Sequence, residues 1–99
     1  MIAVIATFAD AATEDVWSGH ETKAARTIPK AIWPAVRRKL DMLNRVSRLD
    51  ALRVPPGNRF KALRGAEAGM YSIRVNDQYR IRFTFREEHF YDVCCQDFH

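Results

Sequence analysis

The hydrophobic positions of this chain change period part-way along it, dividing it into a helical half and a pleated half. Residues 2–8 are a short run of Ile, Ala, Val, Thr and Phe with the length and composition of a β-strand, either edge or central. "DAATEDVW" follows, with Thr13 as the expected N-cap of a short helix and Glu14 and Asp15 in its first turn, where carboxylates meet the positive end of the helix dipole. Ile28, Ile32, Val36, Leu40, Leu43 and Val46 then recur every three or four residues and draw one apolar stripe along a longer helix. Pro29 suits an early position there. Pro34 removes a backbone donor and presses on the carbonyl of Lys30, so a kinked or split start is expected.

Beyond "VPPGN" at residues 54–58, which reads as a turn, the period falls to two. Tyr71, Ile73 and Val75, then Tyr79, Ile81, Phe83 and Phe85, hold the odd positions, while Ser72, Arg74, Asn76, Arg80, Arg82, Thr84 and Arg86 hold the even ones. Two amphipathic strands result. If their odd residues share a buried face, paired positions sum to an even number, and the loop at Asn76, Asp77 and Gln78 has an odd length, here three. Residues 59–64 read as a preceding strand, joined to the hairpin through "GAEAG", where Gly65 and Gly69 permit the turn. Residues 89–97 read as a last strand with Tyr91, Val93 and Cys95 facing inward. The expected order is strand, two helices, then four strands: an α+β fold with the helices on a mostly antiparallel sheet of four to five strands.

Length and composition narrow this further. Ninety-nine residues, 47% apolar and 28% charged, make one soluble globular domain over residues 1–99. No run reaches the roughly 18–20 apolar residues of a membrane span, and no basic flank precedes the apolar opening, so secretion and membrane insertion are disfavoured. Cys94 and Cys95 are neighbours that a strand points to opposite faces, which argues against a bridge between them and for a reducing, cytoplasmic location.

The formal charge is +4, and Arg supplies twelve of the sixteen cations. The charge is concentrated: Arg53, Arg59, Lys61, Arg64, Arg74, Arg80, Arg82 and Arg86 face only Glu67 and Asp77 within the same segment. The even-sum register sets Arg74 across from Arg80 or Arg82, a like-charge pairing that destabilises a sheet by roughly 0.2–1 kcal/mol. Phosphodiester groups laid over the face would answer that repulsion; a merely solvated, solubilising face is the alternative. A single strand tracked by about four cations gives a log–log salt slope near −3.

Few groups invite other chemistry. His20, His89 and His99 are scattered, the adjacent cysteines form no CxxC pair, and the four glycines make no phosphate loop, so neither a metal nor a nucleotide cofactor is expected. Cys94 and Cys95 read as one packed and one exposed strand residue. At the carboxyl end, "QDFH" sets Asp97 and His99 on one side of a strand, where they could form a carboxylate–imidazole pair; an idle, frayed terminal His is the alternative.

The stretch "LRVPPGNRFKALRG", then "MYSIRVNDQYRIRF" and the ending "YDVCCQDFH" resemble the HigB family of bacterial toxins within the RelE-like group. The likeness spans most of the chain and is most specific over residues 52–83. It implies a RelE-like α+β fold and a ribosome-dependent, metal-independent endoribonuclease that cuts mRNA in the decoding site. It also implies a HigA-type helix-turn-helix antitoxin as partner, with operator DNA reached through the antitoxin complex. Carried over by position, the resemblance makes Lys61, Arg64 and Arg80 phosphate-contacting cations beside Arg59, Arg74 and Arg82, and makes Asp97 and His99 the terminal catalytic pair. Arg80 and Lys61 then complete the catalytic set, while Phe98 stacks on a base. Two positions depart from the family pattern: Lys61 stands where many members have His, and Phe98 where many have Tyr. An ammonium with an ordinary pKa near 10.4 is a poor base at neutral pH, so Lys61 is assigned to phosphate binding first. Three other readings share the architecture: a non-catalytic nucleic-acid or antitoxin-binding corepressor, a ParE-type gyrase inhibitor that has no need of Asp97 and His99, and a degenerate toxin inactive through the Lys61 and Phe98 changes.

Overall fold

The computed structural model describes residues 3–98. The first helix, α1 (Ala11–Ser18), starts one turn earlier than Thr13 would set it. Asp10, in extended backbone, is the N-cap and its Oδ1 accepts from the Thr13 amide at 2.8 Å. Thr13 is instead buried inside the helix, and its Oγ1 accepts from the Cys95 amide at 2.9 Å, tying α1 to the last strand. Gly19, at φ 79, ends the helix in the left-handed conformation that glycine adopts freely.

The second helix has the split start that its prolines predict. A single 3₁₀ turn covers Lys30–Ile32, and α2 (Trp33–Leu43) begins beside Pro34, where the missing amide proton would have no helical partner in any case. Ile28, Val36, Leu40 and Leu43 are buried, and Ile32 and Val46 pack against them, so the apolar stripe lies on the core. No helix among the described residues is long and apolar enough to cross a membrane.

Four antiparallel strands follow in spatial and chain order: β1 (Lys61–Ala62), β2 (Met70–Arg74), β3 (Tyr79–Arg86) and β4 (His89–Asp97). In the central hairpin Tyr71 faces Phe83, Ile73 faces Ile81 and Arg74 faces Arg80, the even-sum register. The Val75 amide donates to the Tyr79 carbonyl, so the loop between them is Asn76, Asp77 and Gln78. Asn76 Oδ1 accepts from the Gln78 and Tyr79 amides at 2.8 Å and holds that loop. Phe83 and Phe90 meet edge to face with centroids 5.0 Å apart, on the side of the sheet that carries Ile73, Ile81 and Val93.

Three expectations need correction. Residues 3–8 of the expected first strand make only isolated parallel bridges to β4, Ile5 to Phe90 and Phe8 to Val93, and Ile2 lies outside the described residues. Between those bridges the Asp92 amide donates to Thr7 Oγ1 rather than to a carbonyl, which interrupts the ladder. Regular pairing in the 59–64 stretch shrinks to Lys61 and Ala62, because Arg59 enters at φ 43 and Gly65 turns away at φ 67. In β4, Phe90 rather than Tyr91 is buried. Arg82 pairs with Cys94 but Thr84 pairs with Tyr91, so β4 carries one extra residue there, with Asp92 at φ 53. A bulge of this kind reverses which residues face inward. Val93 and Cys95 keep their expected side.

Candidate functional site

Alternation along β2 and β3 puts Ser72, Arg74, Arg80 and Arg82 on the face opposite the core, and Lys61, paired with Ser72, joins them from β1. At the end of this face near the Asn76–Gln78 loop lies an open cleft of about 340 Å³ lined by Arg59, Lys61, Arg74, Asn76, Asp77, Arg80 and Phe98. Among the described residues its lining holds four cations against a single carboxylate, an excess of positive charge.

Arg80 stands at its centre. Its Nε donates to Ser72 Oγ at 2.8 Å, and its Nη2 donates to the carbonyls of Arg59 and Ser72. All three acceptors are neutral, so the guanidinium is oriented without being neutralised. Burial, followed by the like charges of Arg74 and Arg59, pulls its pKa below the ordinary arginine range, yet arginine stays protonated in proteins. A buried cation crowded by cations is the physical condition that an incoming phosphate relieves. Ser72 makes this possible: fully buried and small, it leaves room for the longer side chain.

The other arginines of the face differ. Arg74 pairs with Asp77 in the loop, but the Asp77 side chain is 96% exposed, a screened contact of little strength that an anion can displace. Arg82 pairs with Glu67, which the Gly65–Glu67 turn brings over the sheet, and it does not line the cleft. The arginine face expected from alternation is therefore half tied down by the chain's own carboxylates, Asp77 and Glu67. Arg64 is exposed and also lies away from the cleft.

At the carboxyl end, Phe98 lines the cleft, 40% exposed, held by its amide donating to the Gln78 carbonyl at 2.8 Å. Asp97 pairs with Tyr79 in the register, on the other side of the pleat from Arg80, and accepts from Gln78 Nε2 at 2.9 Å. Asp97 does not line the cleft, and His99 lies outside the described residues. The structure thus brings together Arg59, Lys61, Arg74, Arg80 and Phe98 of the expected set. Sequence reasoning passed over Ser72 and Asn76, whose short polar side chains at a strand and a loop position hold the arginine and the loop.

Among the described residues no three His, Cys, Asp or Glu side chains converge to hold a metal ion. Both cysteines are free; burial pushes the Cys94 thiol up and the Cys95 thiol up to about 12, so neither is a ready nucleophile at neutral pH.

Comparison with known proteins decides the family. The model of the RelE-like toxin HigB of type II toxin–antitoxin systems matches residues 6–99. The chain belongs to that family. Toxin HigB-1 of Vibrio cholerae serotype O1 is 48% identical over 66 residues, covering 67% of this chain and 70% of that protein. An uncharacterised protein of Haemophilus influenzae is 40% identical over 58 residues, 59% of this chain and 57% of its own. Among solved structures, the YoeB–YefM complex from Staphylococcus aureus aligns with a TM-score of 0.60 over 98% of this chain and 99% of the other, at 18% identity, a likeness of fold. This HigB-family chain therefore carries a RelE-like α+β architecture.

Proposed function

We propose that residues 1–99 act as one toxin domain, a ribosome-dependent endoribonuclease that cuts mRNA in the decoding site and so inhibits translation. The observation that carries the reading is the cleft: Arg80, fixed by neutral oxygens and flanked by Arg59, Lys61 and Arg74, with the Phe98 ring at its edge. In the reaction a ribose 2′-oxygen attacks the adjacent phosphorus and loses its proton to a base. The bond from phosphorus to the 5′-oxygen breaks, and that oxygen takes a proton from an acid. The products are a 2′,3′-cyclic phosphate and a 5′-hydroxyl. Negative charge gathers on the phosphoryl oxygens in the transition state, where preoriented guanidinium donors act most strongly. Arg80 and Lys61 supply that stabilisation, Arg59 and Arg74 hold the strand, and Phe98 stacks on a base. Arg82 and Arg64 bind the strand outside the cleft, the former once RNA displaces Glu67. The proton steps fall to His99 and Asp97. No metal takes part. The partner that silences the toxin is a HigA-type helix-turn-helix antitoxin, with operator DNA bound through the complex, in the cytoplasm.

Removing His99 alone is expected to reduce mRNA cleavage at least about tenfold, the lower end for one proton-transfer group, while antitoxin binding in a pull-down stays intact. Unchanged cleavage takes His99 out of the mechanism. Among the described residues Arg59, Lys61 and Arg80 are the cleft cations with no carboxylate partner. Three phosphate contacts give a log–log salt slope of about −2 for a single-stranded oligonucleotide, about −3 if the tie between Arg74 and Asp77 opens, and about −4 if Arg64 and Arg82 engage the strand as well. A slope near zero, measured by fluorescence anisotropy between 50 and 200 mM salt as an order-of-magnitude range, contradicts phosphate binding here. Replication arrest without cut message would instead favour the gyrase-directed reading.

A further inference from the structure

Asn58 does not line the cleft, yet its side chain is fully buried one residue before Arg59, which does. Its Oδ1 accepts from Lys39 Nζ on α2, and its Nδ2 donates to the Leu52 carbonyl and to Met42 Sδ, each at 3.0 Å. One amide therefore joins α2, the Leu49–Arg53 turn and the Pro56–Asn58 turn, with both its donor and its acceptor ends in use. Directly after it, Arg59 takes φ 43, the left-handed region that a non-glycine residue enters only when its surroundings hold it there. In that conformation the Arg59 carbonyl accepts from Arg80 Nη2. The connection runs without a gap from the interior of the helical layer to the central cation of the cleft.

We propose that Asn58 is a positioning residue: by locking the turn it fixes the Arg59 carbonyl, and through that carbonyl it aims the Arg80 guanidinium so that Nη1 is left for an anion. Nε and Nη2 of Arg80 are both engaged by the protein, whereas Nη1 makes no hydrogen bond among the described residues. Lys39 belongs to the same device. Burial, then the like charges of Arg38 and Arg74, pull its pKa below the ordinary lysine range, so its ammonium is kept near the cationic cleft against repulsion by its bond to Asn58. The structural part of this proposal stands independently of the reaction. Its kinetic part rests on the reading of the cleft as an RNA-cutting site.

The test uses the ¹⁵N-labelled full chain and follows the Arg80 Nη–Hη resonances, their exchange with water, and their response to inorganic phosphate. Asn58→Asp preserves size but removes the Nδ2 donor, whereas Lys39→Met removes the donor to Oδ1 and leaves the turn's own bonds in place. Asn58→Asp is expected to speed Arg80 exchange about tenfold, the equivalent of one lost hydrogen bond, and Lys39→Met by a smaller factor, with a weaker phosphate response in both. In ribosome-dependent cleavage Asn58→Asp should cost about tenfold with Arg80 present and less than about twofold in an Arg80→Ala background, because effects exerted through one group do not add. A merely structural role predicts equal losses in both backgrounds, and that result overturns the proposal. So does unchanged Arg80 exchange in the folded variants; should Asn58→Asp fail to fold, Lys39→Met decides alone. Faster exchange in a protein whose wild type cuts no RNA keeps the positioning role and overturns the proposed reaction instead.

Discussion

Arg80→Ala is expected to lower mRNA cleavage by about 10²–10³-fold, the loss that follows removal of one preoriented donor from a developing oxyanion. The size of the effect comes from how the side chain is held. Ser72 Oγ and the Arg59 carbonyl fix its plane, no carboxylate among the described residues cancels its charge, and it lies mostly out of water, where a charge acts on a phosphate with little screening. Arg80→Lys separates charge from geometry. A single ammonium cannot hold Ser72, the Arg59 carbonyl and a phosphate oxygen together, so a loss of at least about tenfold is expected although the net charge is kept. The variant also leaves two acceptors short of a donor, at a cost of about 1–3 kcal/mol in stability, so thermal unfolding must accompany the kinetics. Single-turnover cleavage on programmed ribosomes is the measurement; Arg80→Ala within twofold of wild type removes Arg80 from the reaction.

The second large effect concerns the fold. Phe90→Ala is expected to cost about 3–5 kcal/mol, the penalty for emptying a fully buried aromatic site. Domains of this size have about 5–15 kcal/mol to lose, so the variant sits near the edge of unfolding. Phe90 is completely buried against Phe83 and Phe85. Tyr91, its neighbour, is half-buried and covered by the Arg86 guanidinium 3.8 Å from its ring centroid. Losing that contact costs about 0.5–1 kcal/mol. Urea unfolding of the two variants reads the register directly, and a larger loss for Tyr91→Ala than for Phe90→Ala would place the bulge wrongly.

That pair of residues also marks where the sequence stops being legible. Strict alternation gave the even-sum register of β2 with β3, the three-residue loop and a pairing of Arg74 with Arg80 or Arg82, of which the structure has Arg80, because no residue is inserted anywhere in that hairpin. Alternation fails across Asp92, which adds one residue to β4 and reverses the inward side; Asp tolerates φ 53, but nothing in its neighbours announces the conformation. Thr13 is the expected cap, but Asp10, three residues before it, caps the helix in its place. In the candidate site, the cations were visible in the sequence as a cluster, whereas their pairing was not. Glu67 reaches Arg82 only because the turn between Gly65 and Gly69 folds it over the sheet, and Asp77 reaches Arg74 only across the tight loop. What distinguishes Arg80 from its neighbours is thus a matter of which turns close over which strand, and periodicity carries no such information.

The central proposal is that a phosphodiester of translated message lies against Arg80 and is cut there. A translating extract supplied with the wild-type chain or Arg80→Ala, with mRNA ends mapped in the presence and absence of intact ribosomes, tests it most directly. The account predicts discrete cuts ending in 2′,3′-cyclic phosphate, made only on ribosome-bound message and lost in the variant. Intact message under wild-type toxin, or cuts that persist in Arg80→Ala, would contradict it.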